Sequence, residues 1–237
     1  MGKFQLATTA IIVQARMSSA RLPGKVLRPA QGKPMLTYLL ERLARLSHDS
    51  PVVVATSTET SDDPVAAYCA DTGTRCVRGP LDDVAARFLL AIEETGVDGF
   101  ARISADSPLI DPAILDRALS LFAETGADLV TNVMPRSFPK GMSVEVIGSD
   151  AFRRARAEMT EAGDIEHVTP VFYRHPGDWQ IEAFTHDPSL AAINLSVDTP
   201  EDFSAFERIV SHMDKPHWSY GLDDILALRA RAELAPA

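Results

Sequence analysis

Cysteine is scarce in this chain. Among 237 residues there are two, Cys69 and Cys76, with no CxxC pair and no histidine beside them, which excludes a disulfide scaffold and a zinc ribbon. Long apolar runs are missing as well: the stretch Ala10 to Val13 is soon followed by Gln14 and Arg16, too short for a spanning helix or a signal peptide. The expectation is a cytoplasmic protein without membrane contacts, in which the sequon Asn194-Leu195-Ser196 is coincidental. Positive charge is in deficit, with 23 Lys and Arg against 33 Asp and Glu for a net charge of −10, so the main partner is not a nucleic-acid backbone or an anionic membrane. There is no internal repeat, low-complexity tract or linker.

What is present is an ordinary globular composition, 46% hydrophobic and 24% charged, enough for a sizeable core. Short β-rich runs alternate with helix-length amphipathic segments, the pattern of βαβ units and a mainly parallel sheet. Strands are expected at 8–15, 51–55, 74–77, 100–104 and 128–132. Helices are expected from Pro34 to 46, from Asp62-Asp63-Pro64 to Gly73, at 81–94, and from Asp111-Pro112 to 124. After Pro135 the regularity fails. Residues 143–147 alternate like a strand exposed on one face, and the strand-rich segment at about 133–148 reads as an excursion from the sheet. Helices follow at 151–159 and 165–174, strands at 179–184 and 193–197, and helices at 200–210 and 222–232. The summary is a single domain over 1–237, three-layered, with helices flanking the sheet.

In an open parallel sheet, ligands bind beyond the carboxyl ends of the strands, so the loop after the first strand is the first candidate site. It reads Gln14-Ala-Arg-Met-Ser-Ser-Ala-Arg-Leu-Pro-Gly-Lys25. Arg16, Arg21 and Lys25 fall within ten residues of an otherwise acidic chain, and Ser18, Ser19 and Gly24 let backbone N–H groups approach a ligand closely. That combination suits a triphosphate; a solvated basic loop is the bland alternative. Neither GxxxxGK[ST] nor GxGxxG occurs.

The run IIVQARMSSARLPGKVL followed by Gly32-Lys-Pro-Met-Leu36 resembles the signature of the cytidylyltransferases that make CMP-activated acid sugars, most closely the branch labelled spore-coat polysaccharide biosynthesis protein F. The similarity continues through VVVATS at 52–57, VRG with Asp83, Val84 and Arg87, DSPLID at 106–111, GMSVEV at 141–146, Glu166-His-Val-Thr-Pro170 and VDTPEDF at 197–203. It covers residues 10 to about 210. The resemblance implies a nucleotide-diphospho-sugar-transferase-like fold with a dimerisation arm in the 133–148 insertion, hence a homodimer. It also implies transfer of CMP from CTP to an acceptor hydroxyl, that of an acid sugar of the ulosonic or nonulosonic type, with release of pyrophosphate for polysaccharide biosynthesis.

By that resemblance Gln14, Ala15, Arg16, Ser18, Arg21 and Lys25 wrap the nucleotide, with Arg16 and Lys25 the catalytic cations at the α-phosphate and the leaving pyrophosphate. Arg21 either joins them or faces solvent. Arg78 would meet base or phosphate, and Asp83 either lies by the nucleotide or starts the next helix. Asp106 and Asp198 each precede a Pro-initiated helix and could be caps; as a pair at two strand ends they could hold Mg²⁺ with phosphates and water, and Asp198 could also assist deprotonation of the acceptor. Lys140, Glu145, His167 and Thr169 are the acceptor candidates, Glu145 as a pocket wall or a subunit contact and His167 as either a site residue or a structural one. Ala105, Ser143 and Ile165 stand where the branch has Gly, Asp and Arg, so the acceptor half departs from the pattern. Three alternatives remain: CMP transfer to a phosphate or phosphonate, a non-catalytic nucleotide-binding homologue, and a glycosyltransferase, although that class commonly uses a D-x-D motif and none occurs.

Overall fold

The structure is a computed structural model and describes residues 8–234. The first strand, β1 (Thr9–Gln14), leads into the basic loop and a two-strand ribbon of β2 (Pro29–Ala30) and β3 (Lys33–Pro34), then α1 (Met35–Leu43). Next come β4 (Val52–Ser57), α2 (Asp63–Thr72), β5 (Arg75–Gly79), α3 (Val84–Thr95), β6 (Gly99–Ser104), α4 (Pro112–Thr125) and β7 (Leu129–Thr131). The remainder comprises β8 (Glu145–Gly148), α5 (Ser149–Glu158), α6 (Ala162–His167), α7 (Pro170–Arg174), β9 (Ile181–Ala183), α8 (Pro200–Ser211) and α9 (Leu222–Leu234).

Seven strands form one sheet in the order β5-β4-β1-β6-β8-β7-β9. Only β8 runs against its neighbours, antiparallel to both β6 and β7. Alternation along β1 sends Ile11 and Val13 to one face and Ile12 to the other. The first face is covered by α1, α2, α4, α8 and α9, the second by α3, α5 and α7, giving three layers. Two helix starts follow from capping chemistry: Asp83 accepts from the Ala86 N–H, and Asp111 from the Ala113 N–H.

Several expectations are corrected. Residues 145–147 do not belong to an excursion: β8 is an interior strand, with Val146 and Ile147 fully buried, as is Val144 just before it. Its polar alternation arises because Glu145 faces an internal polar cavity rather than solvent, so only residues 133–144 leave the regular sheet. The helix expected at 165–174 is two short ones, broken at Val168, whose φ of 72° no helix accommodates. Residues 193–197 are extended but form no strand. Their backbone pairs with different segments in turn, Ile193 and Leu195 with Lys140 and then Val197 N–H with the Asp106 carbonyl.

The segment beyond residue 210, for which the motifs offered nothing, is tied into the core. The Arg42 guanidinium, fully buried in α1, donates to the carbonyls of Ile110, His217 and Tyr220. Burial pushes its pKa down to about 10, still protonated at neutral pH. Asp111 adds a bond from the Leu222 N–H. No helix among the described residues is long and apolar enough to cross a membrane.

Candidate active site

A cavity of about 700 Å³ opens where β1 and β6 end, and its walls include Gln14, Arg16, Lys25, Arg87, Asp106 and Asp198. The basic loop is shaped by its own backbone. The Met17 carbonyl accepts from Ser19 and Gly24 N–H groups, and Gly24 takes φ 73°, a left-handed conformation that glycine adopts without steric cost. This turn starts the short helical turn bearing Lys25 and directs the lysine inward, where its side chain is 10% exposed. The loop is anchored from outside by Asp62, a fully buried residue that accepts from Met17 N–H at 2.6 Å and from the Ser57 N–H and hydroxyl.

The two distant aspartates meet at Lys25. Its Nζ lies 3.0 Å from Asp198 Oδ1 and 3.6 Å from Asp106 Oδ2, and donates to the Val197 carbonyl at 2.7 Å. Backbone geometry explains the meeting: the Val197 N–H bond to the Asp106 carbonyl places the two acids on adjacent strands of chain. Gly141 makes it possible, because a Cβ there would sit 2.7 Å from the Leu195 carbonyl carbon and the Ser196 nitrogen. Asp202, within the α8 capping box, accepts from the Asp198 and Thr199 N–H groups and fixes the approach of Asp198. Asp198 also receives Lys140 at 2.8 Å and Arg21 at 3.2 Å. Burial alone would raise its pKa, but the hydrogen bonds and charges of Lys140 and Lys25 outweigh that and hold it at about 2.

Among the described residues no cluster of three or more acidic, His or Cys side chains could hold a metal. Asp106 and Asp198 nevertheless offer hard oxygen donors that meet at one point, the Lys25 Nζ, a pair that fits a hard divalent cation taking its remaining ligands from phosphates and water, as Mg²⁺ does. A cation already bridges them here, the Lys25 ammonium.

On the far side of β6, Arg102 is paired with Glu145 at 2.9 Å, and Tyr173 donates its hydroxyl proton to Glu145 at 2.6 Å. Burial, then the Glu145 charge, raise the Tyr173 pKa and keep it a donor. Lys140, Glu145, His167 and Thr169 all line this cavity; Glu145 is a wall and, being buried, not a subunit contact. Ser143 accepts from Arg136 at 3.0 Å, and both border the cavity, as does Ala105. Ile165 lies instead beside a second recess with Glu166, which pairs with Arg16 at 3.1 Å.

Three nucleotide candidates are not brought together with the rest. Ser18 is exposed and does not line the cavity, where Ser19 and Ala20 do. Arg78 is also absent from the walls, because its guanidinium is occupied by the carbonyls of Ser57 and Glu59 and by Asp63. Asp83 caps α3 and pairs with Arg156 at 2.7 Å, beside the second recess. Conversely, Arg87, Arg102, Tyr173 and Asp62 contribute to the site without having been singled out. Arg87 stood in a quoted motif, but nothing in one sequence distinguishes such an arginine from a surface residue of an amphipathic helix.

The family model described as cytidylyltransferase matches residues 10–230, which extends the similarity through the tail segment. The spore coat polysaccharide biosynthesis protein SpsF of Bacillus subtilis is 31% identical over 205 residues, 84% of each chain. A solved cytidylyltransferase from Leptospira borgpetersenii superposes with a TM-score of 0.90 at 26% identity, over 96% of this chain and 95% of that one. A CMP:2-keto-3-deoxy-manno-octonic acid synthetase solved with CTP shares the fold, with a TM-score of 0.67 at 18% identity over 86% of this chain and 99% of its own. A basic turn and two distant aspartates at the mouth of a three-layer sheet thus sit in a chain that belongs to the cytidylyltransferase family and is a nucleotidyltransferase.

Proposed function

We propose that this chain acts as one nucleotidyltransferase domain that moves CMP from CTP to the hydroxyl of an acid-sugar acceptor, with Mg²⁺ and with release of pyrophosphate. The single observation that supports this most is the convergence of Lys25, Arg21, Asp106 and Asp198 on one point of the cavity. The acceptor oxygen forms a bond to the α-phosphorus, the bond from that phosphorus to the bridging oxygen breaks, and pyrophosphate leaves with the electron pair. Asp106 and Asp198 would hold Mg²⁺, which when bound neutralises phosphate charge and polarises the phosphoryl oxygens.

The protein's own part is positioning and charge compensation. Lys25 and Arg16 meet the α-phosphate and the departing pyrophosphate, Arg21 lies at the same rim, and Gln14 and Ala15 floor the nucleotide. With a metal–triphosphate complex bound, the Lys25 ammonium would turn from the two carboxylates to the phosphates. Asp198, ionised beside Lys25 and Lys140, would serve first as a metal ligand, and only secondarily would it help draw off the acceptor proton. Arg102, Lys140 and Arg136 supply cations on the acceptor side for a sugar carboxylate, with Glu145 and Thr169 available to its hydroxyls. A two-fold homodimer through residues 133–144 accords with the exposed Met134, 46% accessible and next to Val133 of the cavity wall.

Pyrophosphate release tests the reading, measured with CTP and Mg²⁺ over a panel of ulosonic acids, neutral sugars, phosphates and phosphonates. Turnover with an acid sugar is expected. Turnover confined to phosphonates or phosphates would overturn the acceptor assignment, and preference for another nucleoside triphosphate would overturn the cytidylyl assignment.

A further inference from the structure

Arg87 is the least satisfied charged group near the site. It lies in the first turns of α3, is 2% exposed, and lines the cavity, yet its Nε and Nη1 are buried with no hydrogen-bond partner among the described residues. A guanidinium carries five donors, and leaving them desolvated and unpaired is costly. The carboxylates that act on it electrostatically, Asp62 and Asp83, direct their oxygens elsewhere, to Met17 and Ser57 and to Ala86 and Arg156. A second orphan shares the cavity: Gln14 Oε1 is a buried acceptor without a donor. An unpaired donor set and an unpaired acceptor in one cavity describe a ligand edge that carries both acceptors and a donor.

Their location is offset from the two aspartates, with Arg16 the phosphate cation near enough to act on Arg87. Helix α3 packs on β5, β4 and β1, whereas Asp106 follows β6 on the other side of β1. A nucleotide whose phosphates sit at Lys25 and the two aspartates has its base free to cross β1 toward α3. On a cytosine, N3 and O2 are adjacent acceptors and the exocyclic N4 is a donor; on a uracil, N3 carries a proton and position 4 is an acceptor. We infer that Arg87 and Gln14 read the pyrimidine edge, Arg87 donating to O2 and N3 and Gln14 Oε1 accepting from N4–H, so that cytosine is selected over uracil. This rests on the CTP reading above. With uracil, the N3 proton would face the Arg87 donors and leave buried polar groups unpaired, the mode of discrimination that binding sites apply most strongly, and Gln14 would have to turn its amide over to meet O4.

Calorimetric titration of the full chain with Mg²⁺ and, separately, CTP, UTP and inorganic tripolyphosphate tests this without any acceptor. Wild type is expected to prefer CTP over UTP by roughly tenfold or more. Arg87→Lys, which keeps the charge but loses the fork, and Gln14→Leu, at the cavity wall, should each cut that preference at least fivefold while changing tripolyphosphate affinity less than twofold. If an Arg87 variant fails to fold, Gln14→Leu decides alone. Equal losses for CTP and UTP, or a matching loss for tripolyphosphate, would overturn the inference by showing a phosphate contact or a structural role. A wild-type protein that binds UTP or ATP as well as CTP would instead remove the cytidylyl reading itself.

Discussion

Replacing Asp62 by Asn should loosen the basic loop without touching any group that meets the nucleotide. Asp62 is fully buried and its two oxygens serve Met17 on one side and Ser57 on the other. The amide of Asn retains one acceptor. Turned toward the two Ser57 donors, it presents its NH₂ to the Met17 N–H, leaving that donor unpaired. A lost hydrogen bond with a stranded buried donor costs about 2 kcal/mol, after some relief from no longer burying a carboxylate. For a chain of this size that lowers the melting temperature by roughly 4–8 °C. Because the Met17 carbonyl closes the turn through Ser19 and Gly24, CTP binding has to restore the same order, so affinity should fall by up to about 30-fold. Asp63→Asn is the control: its carboxylate is 59% exposed and pairs with Arg78, and the change should stay within ~0.5 kcal/mol. Differential scanning fluorimetry with and without CTP measures both quantities. An Asp62→Asn protein that melts with wild type and binds CTP within twofold of it would refute the anchoring role.

Two further outcomes follow from the same geometry. Gly141→Ala forces a Cβ into the backbone of Leu195 and Ser196 at a φ of 94°, which should destabilise by about 3 kcal/mol and weaken CTP binding through a displaced Asp198; unchanged melting would show that this close approach is not needed. For pH, Asp198 has its pKa depressed from 3.8 to about 2, so its contribution is present above about pH 4 and is lost as the pH falls through 2. Comparing denaturant unfolding of wild type and Asp198→Asn, the gap between them should shrink by ~1–2 kcal/mol over that window, allowing for solvent screening; a constant gap would contradict the ion-pair geometry.

The alternating core of the fold was legible because the strands and helices that carry it obey local periodicity. The Ile11 to Val13 stripe and the capped starts of α3 and α4 need no distant partner to be recognised. Glu145 misled because an internal cavity and bulk water leave the same polar mark on a strand. The break at Val168 left no mark either, since valine is not a residue that announces a left-handed turn. Residues 193–197 have strand composition, but their backbone groups pair first with Lys140 and then with Asp106, which only the assembled chain determines. In the site, the basic loop and both aspartates were visible as local clusters and motif ends. Asp62 and Met17, 45 positions apart, were not, and Arg87 is recognisable only by the partners it lacks.

On the proposed function, Asp106 and Asp198 jointly hold the metal of a metal–triphosphate complex in this cavity. The most direct test of this is CTP binding by calorimetry with Mg²⁺ and with a chelator, for wild type, Asp106→Asn, Asp198→Asn and the double variant. The account predicts that Mg²⁺ strengthens CTP binding to wild type, that each single variant loses most of that gain, and that the double variant is no worse than the singles. Metal-dependent CTP binding of undiminished strength in the double variant would contradict it.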